Sequence, residues 1–201
     1  MRADAVHTGY FRAHRVSLLL VVGVLVTSTV LFHRGPAAWQ RRYYQLRYVD
    51  EIVAATQRHT VNPYLVAAVI EAESDWDAGA RSCAGAIGLM QLMPTTARDL
   101  ARRGMVDQGR FSPERLDDPA VNIEYGTAYL RFLVERYHEI EPALAAYNAG
   151  LRHVDDWSTR GRDIRDTIEF PATRHFVIKV SRGKEAYEKL YPDAFDAPAG
   201  P

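Results

Sequence analysis

Residues 62–76 read NPYLVAAVIEAESDW, an apolar run that starts on a helix signal and closes with two carboxylates, Glu71 and Glu73. Asn62 can cap a helix with its side chain, and Pro63 suits the first helical position, where no N–H is needed. Residues three and four apart share a helix face. Leu65, Val66, Val69 and Ile70 therefore make one large apolar stripe, and Glu73 continues it. Glu71 lies about 200° round the helix from Val69, at about 100° per residue, on the small-residue side with Ala67 and Ala68. This geometry predicts that Glu71 reaches water and that Glu73 points into the core or into a cleft cut in it. A carboxylate in such a place loses hydration, and its pKa rises. It then keeps a proton near neutral pH and can act as a general acid. The plain alternative is a structural glutamate satisfied by an arginine such as Arg81.

The same punctuation recurs on either side. Asp118-Pro119 repeats the Asn62-Pro63 device before AVNIEYGTAYLRFLVERY. Pro94 opens TTARDLARR, which Gly104 ends. Pro142 begins ALAAY, stopped by Asn148-Ala149-Gly150, and a last helical pattern runs from about Pro171 to Leu190. Alternating strand patterns are almost absent. The fold class is mainly α, with five to seven helices and no sheet. Between the first two signals, GARSCAGAIGLMQLMP (79–94) has glycines at 79, 85 and 88, in a loop expected to feed a short apolar helix. Glycine there permits positive φ and close backbone approach.

The 201 residues suffice for one well-buried domain plus an N-terminal extension. Lys+Arg 25 against Asp+Glu 25 leaves no net charge, so no basic field marks a nucleic-acid partner. A single cysteine, Cys83, excludes an internal disulfide and a multi-cysteine metal site. The scattered histidines offer no metal motif, since His138-Glu139 is not followed by a second histidine at ligand spacing.

Residues 16–32, VSLLLVVGVLVTSTVLF, carry no charge and follow Arg2, Arg12 and Arg15. As a helix this run is roughly 26 Å long, just enough to span a bilayer core. It reads as an uncleaved signal anchor rather than a cleaved signal peptide, because Pro36-Ala37-Ala38 puts proline where a cleavage site needs a small residue. A buried soluble helix would need a polar face, which is missing. The expected organisation is therefore residues 1–15 at the N-terminus, 16–32 as transmembrane anchor, 33–48 as connector, 49–191 as the helical domain and 192–201 as a disordered tail. Arginines on both sides of the span leave its orientation open by charge.

Three blocks now stand in order: Glu73-Ser74; Ser82-x-x-Gly85-Ala86-x-Gly88-Leu89-Met90-Gln91-x-Met93-Pro94; and Ala145-Ala146-Tyr147-Asn148-Ala149-Gly150. Together they resemble the catalytic domain of the soluble-type lytic transglycosylases, members of the lysozyme-like superfamily related to goose-type lysozyme. The resemblance covers roughly residues 55 to 190. It implies a lysozyme-like helical domain that cleaves the β-1,4 bond between N-acetylmuramic acid and N-acetylglucosamine in peptidoglycan glycan strands, without metal or organic cofactor. It implies Glu73 as the catalytic residue, in agreement with the stripe argument. By the same resemblance, Ser82 sits near that carboxylate and the sugar N-acetyl group. Gln91 and Met93 line the glycan groove, and Tyr147 and Asn148 come from the opposite wall. One departure stands out. Many members carry a second glutamate just before a threonine-arginine pair, and here Ala172 precedes Thr173-Arg174. Since peptidoglycan lies outside the cytoplasmic membrane, the resemblance places the domain outside and residues 1–15 inside. The rival readings are a hydrolytic muramidase on the same site, a membrane-anchored glycan-binding scaffold without activity, and a cysteine hydrolase using Cys83 with His153 or His175.

Overall fold

The computed structural model describes residues 18–31, 37–159 and 163–196. The chain divides into two compact units, Met1–Gln45 and Leu46–Pro201. In the first, α1 is described over residues 18–31, with its leucines and valines exposed, and α2 spans Ala37–Tyr43. Among the described residues no helix is long and apolar enough to cross a membrane. The expected anchor at 16–32 has residues 16, 17 and 32 outside the described residues. So do residues 1–15, residues 33–36 of the connector and residues 197–201 of the tail.

The second unit holds eight helices among its described residues. They are α3 (Val49–His59), α4 (Pro63–Ser74), α5 (Pro94–Arg102), α6 (Pro119–Tyr137), α7 (Ile140–Ala149), α8 (Leu151–Ser158), α9 (Ile164–Thr167) and α10 (Pro171–Leu190). This exceeds the five to seven read from sequence, because α8 and α9 lack a cap-and-proline signal. Helix α7 also begins two residues before Pro142. The predicted N-caps form as expected: the Asn62 side chain accepts from the N–H groups of Tyr64 and Leu65, and that of Asp118 from Ala120 and Val121.

Helix α4 is the axis of the unit. Leu65 through Glu71 are all buried, so the helix is covered on every side rather than on one stripe. Helix α10 packs along it most extensively, and α3 packs against it from another side. Close approach depends on small residues. A Cβ on Gly183 of α10 would lie 3.3 Å from the Ala68 Cβ and 3.2 Å from Glu71 Oε2. The Ala67–Ala68–Glu71 side is therefore the seat of α10 and not a solvent face.

Residues 75–93 contain no helix, which corrects the expectation of a short apolar helix after the glycines. Residues 87–92 form a tight turn closed by Ile87 N–H to Leu92 O (2.9 Å) and the reverse bond (3.1 Å). Gly88 takes φ 78° and Gln91 φ 46°. The turn is anchored from below by the buried Asn122 of α6. Asn122 accepts from Met90 N–H (2.8 Å) and donates to Ile87 O and Leu116 O (2.8 Å each). A side chain at Gly88 would collide with that amide, and one at Gly126 would collide with Met90. Beneath the turn, Leu92, Leu100, Val106, Phe111 and Tyr125 form a cluster against which Tyr129 and Tyr147 pack. Each large apolar side chain buried there contributes about 1.5–3 kcal/mol before its ordering cost.

Candidate active site

Glu73 sits on the last turn of α4, where the helix emerges from its wrapping and the chain turns sharply. Asp75 and Trp76 both adopt positive φ, 51° and 65°. Such backbone is strained for residues with a Cβ and persists only where the surroundings hold it. Here the Trp76 ring is buried, and its Nε1–H donates to the Tyr187 hydroxyl of α10 (3.0 Å). Glu73 is half-buried at the mouth of this corner. Loss of hydration raises its pKa to about 7, against a smaller opposing pull from the Lys179 charge. Among the described residues Glu73 makes no ion pair.

Glu71 behaves differently from its expectation. It is 4% exposed, not open to water, because α10 covers it. Its carboxylate lies 3.8 Å from Lys179 Nζ. Burial raises its pKa as well, with Lys179 pulling the other way. Lys179 also donates to the backbone carbonyls of Glu71 (3.2 Å) and Ala72 (3.4 Å).

Tyr147 projects from α7 and is partly buried. Its hydroxyl donates to Met90 O (2.8 Å), tying α7 to the 87–92 turn. Its pKa is raised well above the usual value, mainly by burial and next by the negative charge of Glu73. The two groups are thus electrostatic neighbours, and the tyrosine stays neutral. Asn148, one residue on, is exposed and accepts from the Thr173 hydroxyl of α10 (2.8 Å).

The loop residues fall into two kinds. Ser82 accepts from Ala86 N–H through its hydroxyl (2.9 Å), closing a small exposed loop. The Gln91 side-chain amide donates to Ala80 O (3.1 Å) and Gly88 O (2.9 Å), so it braces the turn. Met93 is exposed at the start of α5. Beside Tyr147, the Tyr129 ring stands 5.3 Å away and stacks on Phe132 at 6.4 Å. Tyr129 and Phe132 line a cavity of about 230 Å³ with Thr95, Thr96, Asp99 and Arg103. This mixture of hydroxyls, charge and aromatic faces suits a sugar better than an apolar ligand.

Cys83 is exposed, and among the described residues no hydrogen bond joins it to a histidine. His153 is instead packed against Phe170 (4.8 Å) and Trp157 (5.9 Å). Nothing among the described residues pairs the thiol with the base that a cysteine hydrolase uses.

Sequence reading missed Lys179, Asn122 and Gly126. A polar residue inside the apolar run AVNIEYG was the available signal for Asn122. Lys179 gave none, because its partner helix is more than 100 residues away.

Comparison with known proteins adds to this geometry. Residues 50–168 match the family model described as the Transglycosylase SLT domain. The transglycosylase of Enterobacteria phage PRD1 is 35% identical over 115 residues, 57% of this chain and 39% of that one. The soluble lytic murein transglycosylase of Escherichia coli (strain K12) is 32% identical over 155 residues, 74% of this chain and 23% of its own length. The membrane-bound lytic murein transglycosylase C of Histophilus somni (strain 2336) is 30% identical over 179 residues, 76% of this chain and 49% of that one. The chain thus spans less than half the length of each of these relatives. The crystal structure of the 70 kDa soluble lytic transglycosylase of Escherichia coli superposes with a TM-score of 0.70 at 30% identity, over 78% of this chain and 26% of that one. A complex of the 70-kDa soluble lytic transglycosylase with bulgecin A gives 0.70 at 30% identity, over 80% of this chain and 27% of that one.

Proposed function

Since the chain belongs to the Transglycosylase SLT domain family, we propose that it is a peptidoglycan lytic transglycosylase with Glu73 as its single acid and base. The observation that carries this reading is a carboxylate, free of any ion pair among the described residues, whose pKa is raised to about 7 at the edge of an open corner. A group of that kind is about half protonated at neutral pH, so a large share of it can give a proton away.

Glu73 protonates the oxygen of the glycosidic bond between N-acetylmuramic acid and N-acetylglucosamine. The bond breaks, and the substrate's own N-acetyl group meets the positive charge at C1. The Glu73 carboxylate then takes the proton from the C6 hydroxyl of the same muramic acid, whose oxygen closes on C1 as a 1,6-anhydro ring. The proton balance returns Glu73 to its starting form. Many glycosidases need a second carboxylate. Here Glu71 is tied down under α10 and position 172 is alanine. Intramolecular attack asks for no second base and gains from high effective concentration.

In this reading Met93, with Ser82 at the loop edge, flanks the glycan on one side, and Tyr147 and Asn148 on the other. Gln91 acts through the turn it braces. The cavity beside Tyr129, whose ring stands 5.3 Å from that of Tyr147, offers a further place for a sugar of the strand. Residues 16–32 anchor the protein in the cytoplasmic membrane, with the catalytic unit on the outer side, where peptidoglycan lies. The apolar composition of that run supports the anchor, and the orientation rests on the substrate alone.

Mass spectrometry of the muropeptides released from purified sacculi by the full-length protein tests the reading. Products with 1,6-anhydromuramic ends are expected from the parent and absent with Glu73→Gln. Reducing ends would make it a muramidase, and binding without products would make it a scaffold.

A further inference from the structure

Helix α4 ends on a corner that lacks a basic residue of its own in the last turn. The last carbonyls of a helix carry partial negative charge and favour a nearby cation. That cation comes from α10. Lys179 donates to the carbonyls of Glu71 (3.2 Å) and Ala72 (3.4 Å) and lies 3.8 Å from the Glu71 carboxylate. Gly183, one turn further along α10, removes the side chain that would hold the two helices apart.

We propose that Lys179 is the positioning residue of this site, clasping the last turn of α4 and setting the pH range over which Glu73 holds its proton. The proposal rests on the assignment of Glu73 as the acid. Its physical basis is a balance. Burial at the corner favours the neutral carboxyl, and so does the negative end of α4. The Lys179 ammonium opposes both without forming an ion pair with Glu73. Among the described residues Lys179 is the positive charge that acts on Glu73: Tyr147 faces it from α7 and is neutral, and Glu71 on its own helix and Asp75 just beyond it are acids. The loop that follows carries Asp77, Arg81 and Cys83, all exposed to solvent. Without Lys179, Glu73 keeps its proton to higher pH and is a weaker acid toward the glycosidic oxygen in the first step.

The test is the pH dependence of sacculus cleavage by full-length Lys179→Met, Lys179→Gln and Lys179→Arg, beside a carbon-13 carboxyl titration of each, with the Glu73 signal assigned by its loss in Glu73→Gln. Using a second neutral variant guards against a failure of one to fold. The neutral variants should move both the alkaline limb of the rate profile and the Glu73 titration up by about one pH unit. The arginine variant should restore both toward the parent. Slower cleavage with an unmoved titration midpoint would overturn the proposal and leave Lys179 a purely structural residue. A shifted midpoint in a protein whose parent cuts no glycan would uphold the role of Lys179 and reject the enzyme reading instead.

Discussion

Two acids of this protein, one buried and one half-buried, meet different ends. Glu124, on α6, is 2% exposed. It accepts from Arg58 Nε at 3.0 Å on both oxygens and from the His59 ring at 2.9 Å. These donors outweigh its burial, and its pKa is lowered. Arg58 in turn lies over the Phe111 ring at 5.1 Å, which fixes the guanidinium. Glu73 is less buried than Glu124, yet its pKa goes the other way, to about 7. Depth in the core is therefore not what makes a carboxylate reactive. The number and closeness of its partners decide, and Glu73 is the acid from which the fold withholds them.

The largest effect should come from removing the Glu73 proton. Glu73→Gln keeps the shape, and cleavage of sacculi should fall by about a thousandfold or more while the circular dichroism spectrum is unchanged. A variant with near-parental turnover would break the comparison at once.

Next in size is the paired acid. Glu124→Gln leaves Arg58 without its carboxylate in a partly buried setting and should cost about 3 kcal/mol in denaturant unfolding. The sign with pH also follows. A lowered folded pKa means that the contribution of Glu124 is present above the ordinary carboxylate pKa and is lost as pH falls through its folded value. The folded fraction of this variant should cleave at the parental rate, which distinguishes the structural acid from the chemical one.

Asn122 carries the same rule to a neutral group. All three of its hydrogen bonds go to the backbone of residues 87–90 or to Leu116 O, so Asn122→Ala should cost about 2–3 kcal/mol and loosen the turn. Proteolysis between residues 80 and 93 should speed up accordingly.

The smallest effect is in the stability of the Glu73 variant itself. A folded pKa above the unfolded one means that the native state binds the extra proton between the two values, so the Glu73 carboxylate costs stability as pH rises through about 7. Glu73→Gln should therefore be more stable than the parent at pH 8–9, on the order of 2 kcal/mol after allowing for its partial exposure, and equal to it near pH 4. Thermal melts of the two proteins across that range check it.

Much of this was legible in sequence, and the failures share a cause. Asn62, Asp118, Pro94 and Pro171 announced their helices because capping is local chemistry. Glu73 was separable from Glu71 by helix angle, since one face of α4 continues to the open corner. The same angle misplaced Glu71. Ala67, Ala68 and Glu71 look like a water-facing side, and only the arrival of α10, with Gly183 opposite, turns them inward. Lys179 was invisible for the same reason, being local to nothing near Glu73 in the chain. The apolar residues of the 87–92 turn suggest a helix in sequence, because they face the core from a turn that the distant Asn122 holds in place. What a residue does within its own turn can be read from the sequence. What arrives from a helix 32 or 108 residues away needs the fold.

The most direct measurement is a carbon-13 carboxyl titration of the full-length parent, with Glu73 and Glu124 assigned by their glutamine variants. The account predicts two well-separated midpoints, Glu73 at about 7 and Glu124 below the ordinary carboxylate value. If Glu73 titrated with the exposed carboxylates of the chain, it would hold no proton at neutral pH, and the case for it as the acid would fail.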